Sequence, residues 1–197
     1  MSAGTVLTVF AVIAVAELPD KTMIATVLMG SRSVPLYVWL GASAAFLVHV
    51  GLAVVAGQLL TKLPHNVLEI IVTVLFAGGA AWLLFVPEKE EEERGEPEAS
   101  EATGGGGRPL AVAAGAFGVI LVGEFGDLTQ LLTVNFVAKT HDPSSVALGA
   151  SLGLVAVAAF AAFSGRALLR LAPARVIRRA GGVILLGFAA YTLAQLV

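Results

Sequence analysis

The sequence predicts an all-α polytopic membrane protein with six transmembrane helices in a 3+3 inverted-topology repeat. Composition is the first reason. Of 197 residues, 57% are hydrophobic and 13% charged, and mean hydropathy is +0.90. No ordinary soluble domain has that balance. The second reason is six apolar runs, each about 20 residues or longer, the length that crosses a hydrocarbon core. The third is that the two halves of the chain match each other in order.

The first run covers residues 4–29. Its apolar stretch 5–16 ends in Ala14-Val15-Ala16, which resembles a signal-peptide cleavage site. No Lys or Arg precedes it, however, and the apolar pattern resumes after Thr22, so the run is expected to remain as a span. The second and third runs are 36–60 and 66–86, closing a first three-helix repeat at residues 1–86. Residues 87–108 break the pattern. Eight of the chain's 14 acidic residues lie between Glu88 and Glu101, and Gly104 to Gly107 follow. Like charges and glycines cannot build a core, so this segment reads as a solvated linker. The remaining runs, 109–138, 144–168 and 177–197, make a second repeat at 109–197.

The halves correspond at nearly constant offset. Glu17-Leu18-Pro19-Asp20-Lys21-Thr22 recurs 107 residues later as Glu124-Phe125-Gly126-Asp127-Leu128-Thr129. At 108, Leu40-Gly41-Ala42-Ser43 recurs as Leu148-Gly149-Ala150-Ser151, and Gly57 as Gly165. At 109, Pro64 recurs as Pro173, and Ala80-Ala81-Trp82 as Ala189-Ala190-Tyr191. Three spans is an odd number, so the second repeat must enter the membrane the other way up. Many secondary transporters are built so, with their site at the midplane between repeats.

Positive charge sets the orientation. With the N-terminus outside, the cytoplasmic loops carry Arg32, Lys89, Arg94, Arg108, Arg166, Arg170, Arg175, Arg178 and Arg179, and the outer loops only Lys62 and Lys139. Nine against two places both termini outside and the acidic linker in the cytoplasm. An integral protein of a bacterial inner membrane is expected. No cysteine is present, which excludes disulfides and thiolate chemistry.

The two acidic motifs carry the chemistry. A carboxylate at the bilayer centre costs about 2.5–3.5 kcal/mol on insertion scales, and such acids mark ion paths, proton relays or catalytic pairs. If the helices continue, Glu17 and Asp20, like Glu124 and Asp127, share a face at i,i+3. Pro19 lacks an N–H for the Val15 carbonyl and Gly126 loosens its helix, so both helices are expected to break and offer carbonyls. Thr22 and Thr129 add hydroxyls and Gln130 an amide oxygen. Pooled, these make an all-oxygen site with up to four carboxylates, Glu17, Asp20, Glu124 and Asp127, a donor set suited to a metal such as Mg²⁺, Ca²⁺ or Mn²⁺.

Several neighbours have plainer readings. Lys21 either neutralises Glu17 at i+4 or takes part in gating. Ser43 and Ser151 are candidate lining residues, although small residues also let helices approach closely. His49 has no counterpart in the second half and reads as a packed or cavity-lining histidine. Arg175, Arg178 and Arg179 read as a headgroup anchor.

At the acidic motifs the chain resembles the Gdt-type calcium/manganese:proton exchangers of the eukaryotic Golgi and bacterial inner membranes, whose mark is E-x-G-D-[KR]-[ST] twice, once per three-helix half. The resemblance covers both halves and leaves out only the linker. It implies export of Mn²⁺ or Ca²⁺ as substrate against protons, with Glu17, Asp20, Thr22, Glu124, Asp127 and Thr129 at the site. No cofactor, no nucleic acid and no enzymatic step are implied; the partners are the cation, protons and the bilayer. Two positions depart from the pattern: Pro19 stands for Gly, keeping a helix break by another route, and Leu128 stands for Lys or Arg, removing a fixed positive charge. Two other readings compete. An intramembrane aspartyl protease would use Asp20 and Asp127 alone and would not need the duplicated glutamates. An exporter of a small organic cation or amino acid would not need four acids.

Overall fold

A computed structural model describes residues 1–18, 21–62, 108–125 and 127–164, together with isolated helical positions at 67, 70, 73, 74, 77, 78 and 81 and at 183, 186, 187 and 190. Within these the fold is all helical. Six helices follow one another: α1 (Ala3–Glu17), α2 (Lys21–Arg32), α3 (Pro35–Leu60), α4 (Pro109–Gly123), α5 (Leu128–Thr140) and α6 (Pro143–Ser164). The linker, apart from Arg108, and most of the expected third and sixth spans lie outside the described residues.

Proline starts three of these helices. Pro35, Pro109 and Pro143 each stand at the first position, where the missing N–H costs nothing. Ser2 caps α1 by accepting the Thr5 N–H at 3.4 Å. Asp142 serves α6 likewise, accepting the Ser145 N–H at 3.1 Å. His141 closes α5 in the left-handed region at φ 52°, a common helix stop.

Two helices, α3 and α6, are each long and apolar enough to cross a membrane. Two further helix pairs are apolar enough only when taken together, and each is sharply bent. α1 and α2 meet at a bend of 73°, and α4 and α5 at 68°. Counting each bent pair as one span gives up to four among the described residues.

Side-chain contacts give the helix directions. The Ser2 N–H donates to Ser145 Oγ at 2.8 Å, and Val6 packs at Gly149 and Phe10 at Gly153, so α1 runs alongside α6 in the same sense. Ala113 packs at Gly41 and His49 meets Leu121, so α4 likewise runs with α3. Trp39, near the start of α3, donates from Nε1 to the Val155 carbonyl at 3.1 Å and stacks at a tilt on Phe163. Helices α3 and α6 therefore run in opposite senses, and so do α1 and α4.

The two parallel crossings are glycine-dependent. A Cβ on Gly149 would lie 2.6 Å from the Val6 carbonyl oxygen, and one on Gly41 would strike the Ala113 carbonyl. Small residues let helix backbones close to this distance in a membrane, where packing rather than water exclusion holds helices together. One apolar core runs through the crossings, including Val9, Ile13, Val38, Phe46, Ile120 and Leu154. On the outer faces Leu47, Val55, Leu59, Leu152, Phe160 and Phe163 remain exposed, as lipid-facing side chains do.

Candidate cation-binding site

Each break lies at an acidic motif, and the chain's local chemistry explains why. In the first, the Leu18 N–H still bonds the Ala14 carbonyl at 3.1 Å, but the next residue, Pro19, has no N–H to give. Pro19 and Asp20 themselves lie outside the described residues. In the second, the Glu124 N–H reaches Ile120 at 3.0 Å, and the ladder then slips: the Phe125 N–H bonds Val122 at 3.3 Å rather than Leu121. The Asp127 N–H turns back to the Glu124 carbonyl at 3.1 Å, and Asp127 takes the N-cap position of α5. Gly126, the expected point of weakness, lies outside the described residues.

The i,i+3 face expected for Glu124 and Asp127 is therefore not formed. Helix α1 ends at Glu17 and α4 at Gly123. Glu17, Glu124 and Asp127 belong to helix ends instead, because the backbone ladder stops there. This brings the carboxylates to junctions where α1 and α4 end and α2 and α5 begin. Terminal carbonyls at the first can coordinate cations, and terminal N–H groups at the second favour anions.

Both glutamates are sealed from solvent. Glu17 is 0% exposed and Glu124 2%. Across each break a buried threonine five residues on donates to its glutamate: Thr22 Oγ1 to Glu17 Oε1 at 2.8 Å, and Thr129 Oγ1 to Glu124 Oε2 at 3.5 Å. A second threonine backs each one. Thr26 Oγ1 donates to the Thr22 carbonyl at 2.7 Å and Thr133 Oγ1 to the Thr129 carbonyl at 2.8 Å. The pair Thr26 and Thr133 also stands at offset 107, a repeat signal not used in reading the motifs.

The remaining expected residues fall as follows. Asp127 and Gln130 are half-buried. Lys21 opens α2, but its side chain is not described. Ser43 is buried on α3 and Ser151 half-buried at its counterpart on α6. Among the described residues, no three of His, Asp and Glu gather closely enough to hold one metal ion; Asp20 is not among them.

Two buried polar residues escaped the motif reading. Asn135, 0% exposed on α5, has neither amide atom hydrogen bonded; its counterpart at offset 107 is Leu28. His49 is the other. Its Nε2 lies 3.0 Å from the Leu121 carbonyl, the one bypassed by the slipped ladder, and its Nδ1 lies 3.2 Å from Gln130 Nε2.

A profile described as divalent cation/proton antiporter GDT1 matches residues 5–91 and 112–197. The chain belongs to the GDT1 family. It is 27% identical over 95% of its length to protein PAM71, chloroplastic, of Arabidopsis thaliana, and spans 56% of that protein. It is 26% identical to the GDT1-like protein sll0615 of Synechocystis, covering 90% of each chain. It is 29% identical to GDT1-like protein 3 of Oryza sativa, covering 89% of this chain and 68% of the other. No solved structure matches. GDT1 proteins are described as antiporters, so this is a membrane transporter family and not an enzyme, and the protease reading of Asp20 and Asp127 is set aside.

Proposed function

We propose that this chain exports a divalent cation, Mn²⁺ or Ca²⁺, from the cytoplasm in exchange for protons across a bacterial inner membrane, with both termini outside. Its ligands are Glu17, Asp20, Glu124 and Asp127, assisted by Thr22, Thr129 and Gln130. The observation that carries this reading is the duplicated break: twice, a sealed glutamate sits where a helix ends and is bonded by a threonine across the gap.

The chemistry follows from the residues. A buried carboxylate can be neutralised by a proton or by a cation. A divalent ion needs ionised oxygens, so binding it releases whatever protons the acids hold. Proton and cation therefore exclude each other at one set of oxygens, which is the minimum needed for exchange. The opposed directions of α3 and α6, and of α1 and α4, support an inverted repeat, in which rocking one half against the other opens the site to alternate sides.

The test is transport in proteoliposomes under an imposed pH gradient, comparing Mn²⁺, Ca²⁺ and Mg²⁺. Uptake of Mn²⁺ or Ca²⁺ coupled to counter-movement of protons is expected. Cation flux that ignores the gradient would refute exchange.

A further inference from the structure

The acidic motifs are duplicated, but one polar contact in this region is not. His49 on α3 bonds the second break at two points. Its counterpart on α6 is Val157, and the counterpart of Gln130 on α2 is Met23. The positions matching this pair around the first break are thus both apolar, Val157 from the second repeat and Met23 from the first, whereas His49 and Gln130 join the two repeats by a hydrogen bond.

Donor and acceptor chemistry fixes the pair. The Leu121 carbonyl can only accept, so His49 Nε2 carries a hydrogen and donates to it at 3.0 Å. On a neutral imidazole that leaves Nδ1 as an acceptor. Only the NH₂ group of Gln130 can serve an acceptor, and its Nε2 is at 3.2 Å. The amide must then turn its carbonyl oxygen away from His49. The ring is 4% exposed and held edge-on to Phe125, with centroids 6.2 Å apart, so it has little freedom to reorient.

We propose that His49 is a positioning residue for cation binding: it secures the bypassed Leu121 carbonyl and orients the Gln130 amide so that Oε1 is the oxygen presented at the site. This rests on the reading that the second break binds the transported cation. It makes the two halves of the site unequal, with a neutral amide oxygen added on one side only. Groups that orient ligands typically change affinity by about 10–100-fold when lost.

The experiment measures KM and Vmax for Mn²⁺ and Ca²⁺ exchange in proteoliposomes. His49→Leu should raise KM about tenfold and leave Vmax within about twofold. His49→Gln should retain near wild-type KM, because an amide also offers one donor and one acceptor at ring-nitrogen spacing. Gln130→Met, which installs the residue of the first half, should match His49→Leu. The double variant should be no worse than either alone, since both act through one contact. Independent, multiplying effects, or an unchanged KM in Gln130→Met, would overturn the proposal. If His49→Leu does not fold, His49→Gln and Gln130→Met decide. A wild type that exchanges neither cation would refute the parent reading as well; a wild type that exchanges one, with KM unmoved in the variants, would refute only the positioning role.

Discussion

The first break is tightly bonded and the second loosely. Thr22 approaches Glu17 to 2.8 Å, a strong hydroxyl–carboxylate distance, whereas Thr129 stands 3.5 Å from Glu124, at the edge of bonding. The second break compensates with ties to α3 through His49. Two copies of one motif have thus diverged in what holds them: a bond within the motif in one half, a bond between helices in the other. A duplicated site needs both copies to bind, but they need not share the same supports.

The strongest way to break this comparison is to remove the acids. Glu17→Gln and Glu124→Gln should each lower coupled exchange by about a hundredfold or more, the upper end of what lost metal-site groups cost, measured in proteoliposomes with folding checked by size exclusion. If one variant alone fails, the halves do not share a cation.

The close crossings come next. Gly41→Ala and Gly149→Ala should each destabilise the protein by about 1–3 kcal/mol, because the new methyl meets a backbone carbonyl that cannot swing away. Thermal unfolding in detergent reads this. Gly51→Ala, with nothing within 4 Å, is the control and should lose nothing.

The threonines test the difference in bonding directly. Thr22→Val should cost about 1–3 kcal/mol, the penalty for removing a partner from a buried polar group. Thr129→Val should cost less than about 1 kcal/mol, since a 3.5 Å contact has little to lose. Equal losses in the same unfolding assay would show that the two distances carry no energetic meaning.

The smallest expected effect lies outside the membrane. Asp142 is held below its ordinary value near 3.8, first by the Ser145 hydroxyl, then by the Ser145 N–H, and also by the N-terminal ammonium. A carboxyl with a depressed folded value stabilises the fold fully above its unfolded value and loses that as pH falls through the folded one. A modest acid lability is therefore expected below about pH 4, absent in Asp142→Asn. Val34, the counterpart at the start of α3, caps without any side-chain bond, so that helix start has no titrating cap of this kind.

Composition and spacing determined the helical membrane class, the two candidate spans at α3 and α6, and the breaks at the acidic motifs. The physical reason is local: apolar length, a proline without a donor and a loosened glycine act on their own neighbours. The pairing of Glu17 with Thr22 was implicit in the same motif, five residues apart. The sequence did not foresee that Glu124 and Asp127 would stand on either side of a helix break rather than on one continuous face, since the break also removes the i,i+3 geometry. Tertiary structure alone decided the rest. His49 meets Gln130 across 81 positions, and no local pattern records such a pair. It forms because α3 and α4 run together at Gly41, which sets His49 beside the carbonyl that the slipped α4 ladder bypasses.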